Sequence, residues 1–163
     1  MTATLGAVQQ LDRRAVQPFL PALDAWLLGG SVYGVQHTWP QLYRSDGDGA
    51  FFVVEEHGEL LSHCALRHVT LHTQHGAVPV GLLGSVVTAP SRRGEGLAGR
   101  VLQAALDACA GSTRLVLLWA ERADLYARHG FVGGAAETCL LLARRRRRDA
   151  ANVRLADVRD FEQ

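Results

Sequence analysis

Two hydrophobic rhythms divide the chain. Between residues 50 and 72 the runs FFVVEE and LLSHCALRHVTLH read as extended, and His57-Gly58-Glu59 between them predicts the turn of a hairpin. A turn around Gln74 to Gly76 leads into a third extended run, VPVGLLGSVVT at residues 78–88, which Pro90 ends. Gly81 and Gly84 inside that run suggest close backbone approach or a bulge. From Gly94 the rhythm becomes helical, with Ala98, Leu102, Ala105, Leu106 and Cys109 on one face and Gly111 as a stop. The continuous run Leu115 to Trp119 predicts a strand covered on both faces. ERADLYARH then predicts a short helix closing at Gly130, before a last strand from Phe131 to about Ala143.

The first third is less regular. Residues 3–11 can form a strand, and Asp12 can cap a helix reaching Leu28, where Gly29-Gly30 stops it, although Pro18 and Pro21 fall inside. Residues 31–45 read as loop with a short helix. The order β-α-(α)-β-β-β-α-β-α-β implies an α/β (α+β) fold, a mixed sheet with helices on both faces.

Length bounds this picture: 163 residues with 48% hydrophobic and 20% charged residues suffice for one core and not for two full domains. A net charge of +1 excludes a global field drawing the protein to nucleic acid or an anionic membrane, so neither partner is expected. Every basic residue is Arg, which excludes a lysine nucleophile or Schiff base. Cys64, Cys109 and Cys139 are scattered and odd in number, giving neither a disulfide framework nor a zinc cage. The opening MTATLGAVQQLDRR has no apolar core of a signal segment, and a cytoplasmic location is expected.

The chemistry concentrates in VVTAPSRRGEGLAGRVL, residues 86–102, where a strand passes through a Pro turn into a glycine-rich helix start. The first amides of a helix lack internal partners and carry partial positive charge, which suits a diphosphate. Gly94 and Gly96 remove the Cβ atoms that would hold a phosphate away. An ordinary strand-to-helix connection would look the same. The dinucleotide fingerprint does not fit, because no acidic residue stands at the ribose-binding distance, and there is no Walker lysine.

Arg93-Gly94-Glu95-Gly96-Leu97-Ala98 fits R-x-x-G-x-A, and Leu125-Tyr126-Ala127-Arg128-His129-Gly130-Phe131 fits L-Y-x-x-x-G-F about 30 residues downstream. In this order and on these elements the two runs resemble the GNAT N-acetyltransferases. The resemblance covers roughly residues 50–143 and implies a GNAT domain over residues 1–143, a central mixed, mostly antiparallel sheet of 6–7 strands, and an Arg-rich extension over 144–163. It implies acetyl-CoA as co-substrate and no metal. The backbones of Val86, Val87 and Thr88 would pair with the pantetheine arm and acetyl carbonyl, a strand-addition mode of binding. The amides of Gly94, Gly96, Ala98 and Gly99 would cradle the pyrophosphate, with Arg93 adding local charge. Tyr126 would donate a proton to the leaving thiolate, whose conjugate acid has a pKa of about 8.5.

The attacking amine, with a pKa of about 10.4, must lose a proton. The run 78–88 holds no acidic residue where many relatives of the family place a base. Glu121 is the first candidate, with a helix-dipole role as its plain alternative. Glu55, Glu56, His57 and His63 follow, of which only one of the two neighbouring glutamates can face a cleft. Water or the C-terminal carboxylate are further options.

Other signals weigh less. His68 and His72 share a strand face but stand roughly 13 Å apart, too far to ligate one ion. Arg144 to Arg148 reads as a solvated strand end or as a site for an acidic partner. Trp26, Tyr33, Trp39 and Tyr43 could line an acceptor pocket, or simply pack. The tail NVRLADVRDFEQ resembles the opening of a second domain, and a homodimer is one option. Two functions remain: transfer of acetyl to a primary amine of a small molecule or protein N-terminus by direct attack in a ternary complex, or a non-catalytic acyl-CoA-binding or sensing module. The absent acid favours the second and Tyr126 the first.

Overall fold

The computed structural model describes residues 6–29, 31–44, 46–120 and 122–133. The chain divides into two compact units, Met1–Phe131 and Val132–Gln163, and every element below belongs to the first.

The apolar run at 51–54 reflects a strand with a layer on each side. Phe51 and Val53 enter one hydrophobic cluster while Phe52 and Val54 enter another, as side-chain alternation requires. The described strands are β1 (Gln9–Leu11), β2 (Ala50–Glu56), β3 (Glu59–Thr73), β4 (Gly76–Thr88) and β5 (Leu115–Leu117). They form one sheet in that order, antiparallel except for the parallel pair β4–β5. Five described strands stand against the 6–7 expected. The last expected strand begins at Phe131, but residues 131–133 are not strand and residues 134–143 lie outside the described residues.

One face carries helix α4 (Leu97–Cys109), which buries Leu97, Val101, Leu102, Ala105 and Cys109 against Phe52, Val54, Cys64, Leu66 and Leu83. Full burial of each large aliphatic side chain contributes about 1.5–3 kcal/mol. The helix comes close because Gly81 is bare: a Cβ there would stand 3.0 Å from Cys109 Sγ and 3.3 Å from Leu66 Cδ1. The opposite face carries α1 (Leu20–Leu28), α2 (Val35–Thr38) and α3 (Pro40–Tyr43), which bury Leu23, Val35 and Tyr43.

The expected helix from Asp12 to Leu28 is broken. Asp12 Oδ1 accepts hydrogen bonds from the amides of Arg14 (2.8 Å) and Ala15 (2.9 Å), closing a turn. A 3-10 turn follows at Gln17–Phe19, and α1 starts only at Leu20. Pro18 and Pro21 each lack an amide hydrogen and are tolerated only in a first turn, so each opens a new segment. Gly29, at φ 58, ends α1 as expected. The strand expected at 115–119 is also shorter and less covered, with Leu115 44% and Trp119 64% exposed. The short helix α5 spans Ala123–Ala127.

Candidate active site

The β3–β4 ladder loses register where the motif region begins. His63 pairs with Val87 and Ala65 with Gly84, so one residue of β3 faces two of β4, Ser85 and Val86. Ser85 takes φ 50, a left-handed conformation uncommon for a non-glycine residue, and forms the bulge suggested beside Gly84. On the other edge, β4 pairs with β5 only from Val80 to Leu82. Among the described residues, 83–88 run on without a β5 partner, so the backbones of Val86, Val87 and Thr88 flank the gap where the two strands part.

The chain then turns through Pro90–Arg92 into Arg93, Gly94 and Gly96. Gly94 and Gly96 have φ of 88 and 77, a region open to glycine, and a Cβ on either would meet no atom within 4 Å. Gly96 is the N-cap of α4, and no side chain caps that end. The Arg100 amide bonds back to the Gly96 carbonyl at 3.3 Å, which leaves the amides of Leu97, Ala98 and Gly99 as the unpaired first turn. This end of α4 has the geometry of an anion cradle. Gly99 is inside the helix, where a Cβ would lie 3.5 Å from His129 Nε2.

Arg93 is exposed, its Nε donating to the Thr88 carbonyl at 3.5 Å. The neighbouring Arg92, which the sequence did not single out, holds the loop: it pairs with Glu95 at 2.8 Å and with Glu56 of β2 at 3.1 Å. The hydrogen bond from Arg92 holds Glu95 below the usual carboxylate range. One positive against two negative charges leaves this group net negative, so attraction for an anion falls to Arg93 and the end of α4. The spacing Arg92 to Glu95 was the available signal.

Tyr126, on α5, is half-buried and packs on the same cluster as α4, Val86 and Leu118. Its ring meets Phe131 edge-on, centroids 6.1 Å apart. Burial, and secondarily Cys64, raises its pKa above 10.0, so the phenol is a neutral donor at pH 7.

Glu121 lies outside the described residues. The hairpin candidates are otherwise engaged. Glu55 accepts from the Gly58 amide at 2.9 Å and from Gln9 Nε2 at 3.3 Å, Glu56 pairs with Arg92, and His57 sits exposed in the turn at φ 53. His63 is fully buried, which lowers its pKa to about 4 and makes it a weak proton acceptor shut away from solvent. Tyr43 is core, and Trp26 and Trp39 pack half-buried against the same cluster. Tyr33 is exposed and stacks on His37 at 4.3 Å. A depression of about 250 Å³ lined by Pro40, Gln41, Arg44, Asp48 and Arg67 lies beside α3, apart from the β4–α4 gap. Among the described residues no His, Cys, Asp and Glu group could hold a metal, and no helix is long and apolar enough to cross a membrane.

One mixed sheet, with a parallel strand pair that parts beside an uncapped glycine-rich helix start, defines an α/β protein with an anion cradle at the β4–α4 junction. The sequence pattern of the acetyltransferase (GNAT) domain matches residues 26–133. The chain belongs to the GNAT acetyltransferase family. No curated protein matches it. Among solved structures it is similar to a Trypanosoma brucei acetyltransferase, with 20% identity, TM-score 0.64, and 83% of this chain and 98% of that chain covered. It is also similar to the Arabidopsis thaliana glucosamine-6-phosphate N-acetyltransferase, with 19% identity, TM-score 0.59 and coverages of 83% and 97%. A predicted acetyltransferase from Clostridium acetobutylicum, solved with acetyl-CoA, gives 14% identity, TM-score 0.66 and coverages of 82% and 94%.

Proposed function

We propose that the protein is an N-acetyltransferase that moves acetyl from acetyl-CoA to a primary amine of a small molecule or peptide by direct attack in a ternary complex. The observation that carries this reading is the continuity of the free β4 edge at 83–88 with the uncapped start of α4. An extended arm can add along the first while its diphosphate meets the second. The Clostridium acetobutylicum structure solved with acetyl-CoA supports the choice of carrier.

In this reading the amine attacks the thioester carbonyl, the C–N bond forms and the C–S bond breaks. Tyr126 gives its proton to the departing thiolate, and the proton lost by the amine passes through a base or water to restore the phenol. Glu121 is the proposed base on its place in the sequence alone. A cytoplasmic setting and a homodimer complete the proposal, with no nucleic acid or membrane as partner.

The engagement of Glu55 and Glu56 and the burial of His63 favour a second reading, an acyl-CoA-binding module without turnover. A screen of amines with a free-thiol readout separates the two. Acetyl-CoA-dependent thiol release with any amine supports the enzyme, and tight binding with no release across the screen supports the module.

A further inference from the structure

His63 has no place in the proton transfers above, yet it faces the stretch of β4 that the proposed carrier would pair with. It is buried on β3 in register with Val87, beside the β4 bulge. Its Nδ1 lies 2.8 Å from the carbonyl oxygen of Ser85. A carbonyl only accepts, so Nδ1 carries the hydrogen and Nε2 is left as a bare acceptor, without a partner among the described residues. The ring is fixed by aromatic contacts to Phe51 (centroids 5.7 Å) and Tyr43 (6.0 Å).

The bulge explains why such a donor is needed. In a regular ladder the Ser85 carbonyl would have a strand amide as its partner, whereas the extra residue at φ 50 disrupts the pairing locally. The imidazole of the facing strand supplies the missing bond. The next side chain along β3 does the same from the other face: Ser62 Oγ donates to the Val87 carbonyl at 3.2 Å and lies 3.0 Å from Thr88 Oγ1. Two neighbouring β3 side chains thus grip β4 on both sides of Val86.

We infer that His63 is a positioning residue: its Nδ1–H bond to Ser85 holds the β4 bulge and so directs the backbone of Val86 to Thr88 into the gap beside β5. The part of this inference that concerns acetyl-CoA rests on the proposed function. The part that concerns the bulge does not.

The test compares His63→Asn with His63→Gln in the full chain. Both lose the ring, but Asn carries its N–H near the reach of Nδ1 and Gln near that of Nε2, so their difference reads the hydrogen bond and not the packing. Amide hydrogen exchange of the ligand-free protein should be about tenfold faster at residues 84–88 in His63→Gln than in His63→Asn, with the rest of the sheet alike. Titration with acetyl-CoA should show an affinity loss of similar size in His63→Gln, with recovery in His63→Asn. Equal exchange at 84–88 in the two variants overturns the inference. So does wild-type nitrogen NMR showing the hydrogen on Nε2, a measurement that needs no variant to fold. If wild type fails to bind acetyl-CoA, the proposed function falls, while the exchange pattern and tautomer still decide the role of His63.

Discussion

Lowering the pH should unfold this protein in part through one side chain. His63 ionises at about 6.5 in an unfolded chain and at about 4 in the folded one, because burial disfavours the imidazolium. Between those values the unfolded chain binds the proton more tightly, so stability is complete above pH 6.5 and is lost as pH falls toward 4. At about 1.4 kcal/mol per pH unit the total is about 3 kcal/mol, of which about 2 kcal/mol is lost by pH 5. Urea unfolding of wild type and His63→Asn at pH 7, 6, 5 and 4.5 isolates this contribution, since the carboxylates titrate in both proteins. Wild type should lose about 2 kcal/mol more than the variant between pH 7 and 5. Parallel pH profiles would refute the argument and mean that the imidazole is reached by water in the native state.

Tyr126→Phe should lower kcat with little change in acetyl-CoA affinity, as the phenol acts only when the thiolate leaves, and unaffected turnover with an identified amine would reduce Tyr126 to a packing residue. Glu121→Gln should cut kcat/KM on the order of 10²–10⁴ with loss of the acidic limb of the pH profile. A helix-dipole role instead predicts a stability loss of roughly 0.3–1 kcal/mol with kinetics unchanged. Gly81→Ala should destabilise by about 1–3 kcal/mol in thermal unfolding, because Cys109 and Leu66 must move to admit a methyl group, and an unchanged midpoint would show that α4 yields freely.

How far the sequence could be read follows from which contacts are local. The β2–β3 hairpin and the helix α4 depend on alternation and on spacings of three and four, and both stand where those patterns put them, although the buried stripe of α4 keeps only Leu102, Ala105 and Cys109 of the expected set and adds Leu97 and Val101 while Ala98 and Leu106 are half-buried. The helix bounded by the Asp12 cap and the Gly29-Gly30 stop is interrupted at the two prolines noted inside it, each of which opens a separate turn. Gly84 drew attention to the bulge, but the left-handed residue is Ser85, held by a histidine 22 positions away. No local pattern records that bond. The same limit hid Arg92: two adjacent arginines look equivalent, and only the fold turns one toward Glu56 and leaves the other at the surface. Aromatics at 26, 39 and 43 are consistent in sequence with a pocket or a core, and the sheet's second face buries Tyr43 in the core while Trp26 and Trp39 pack half-buried against it.

The central claim, that the β4–α4 junction binds the acyl carrier, is tested most directly by calorimetry of acetyl-CoA with wild type and Gly96→Asp. The carboxylate would stand beside the amides the diphosphate needs and repel that diphosphate, and a thermal melt run with the titration checks that the variant folds. The left-handed φ of 77 adds a backbone cost that any side chain meets there. Wild type should bind one acetyl-CoA per chain, with affinity at least about tenfold weaker in the variant. Equal affinity in the two proteins, or no binding by wild type, would contradict the account.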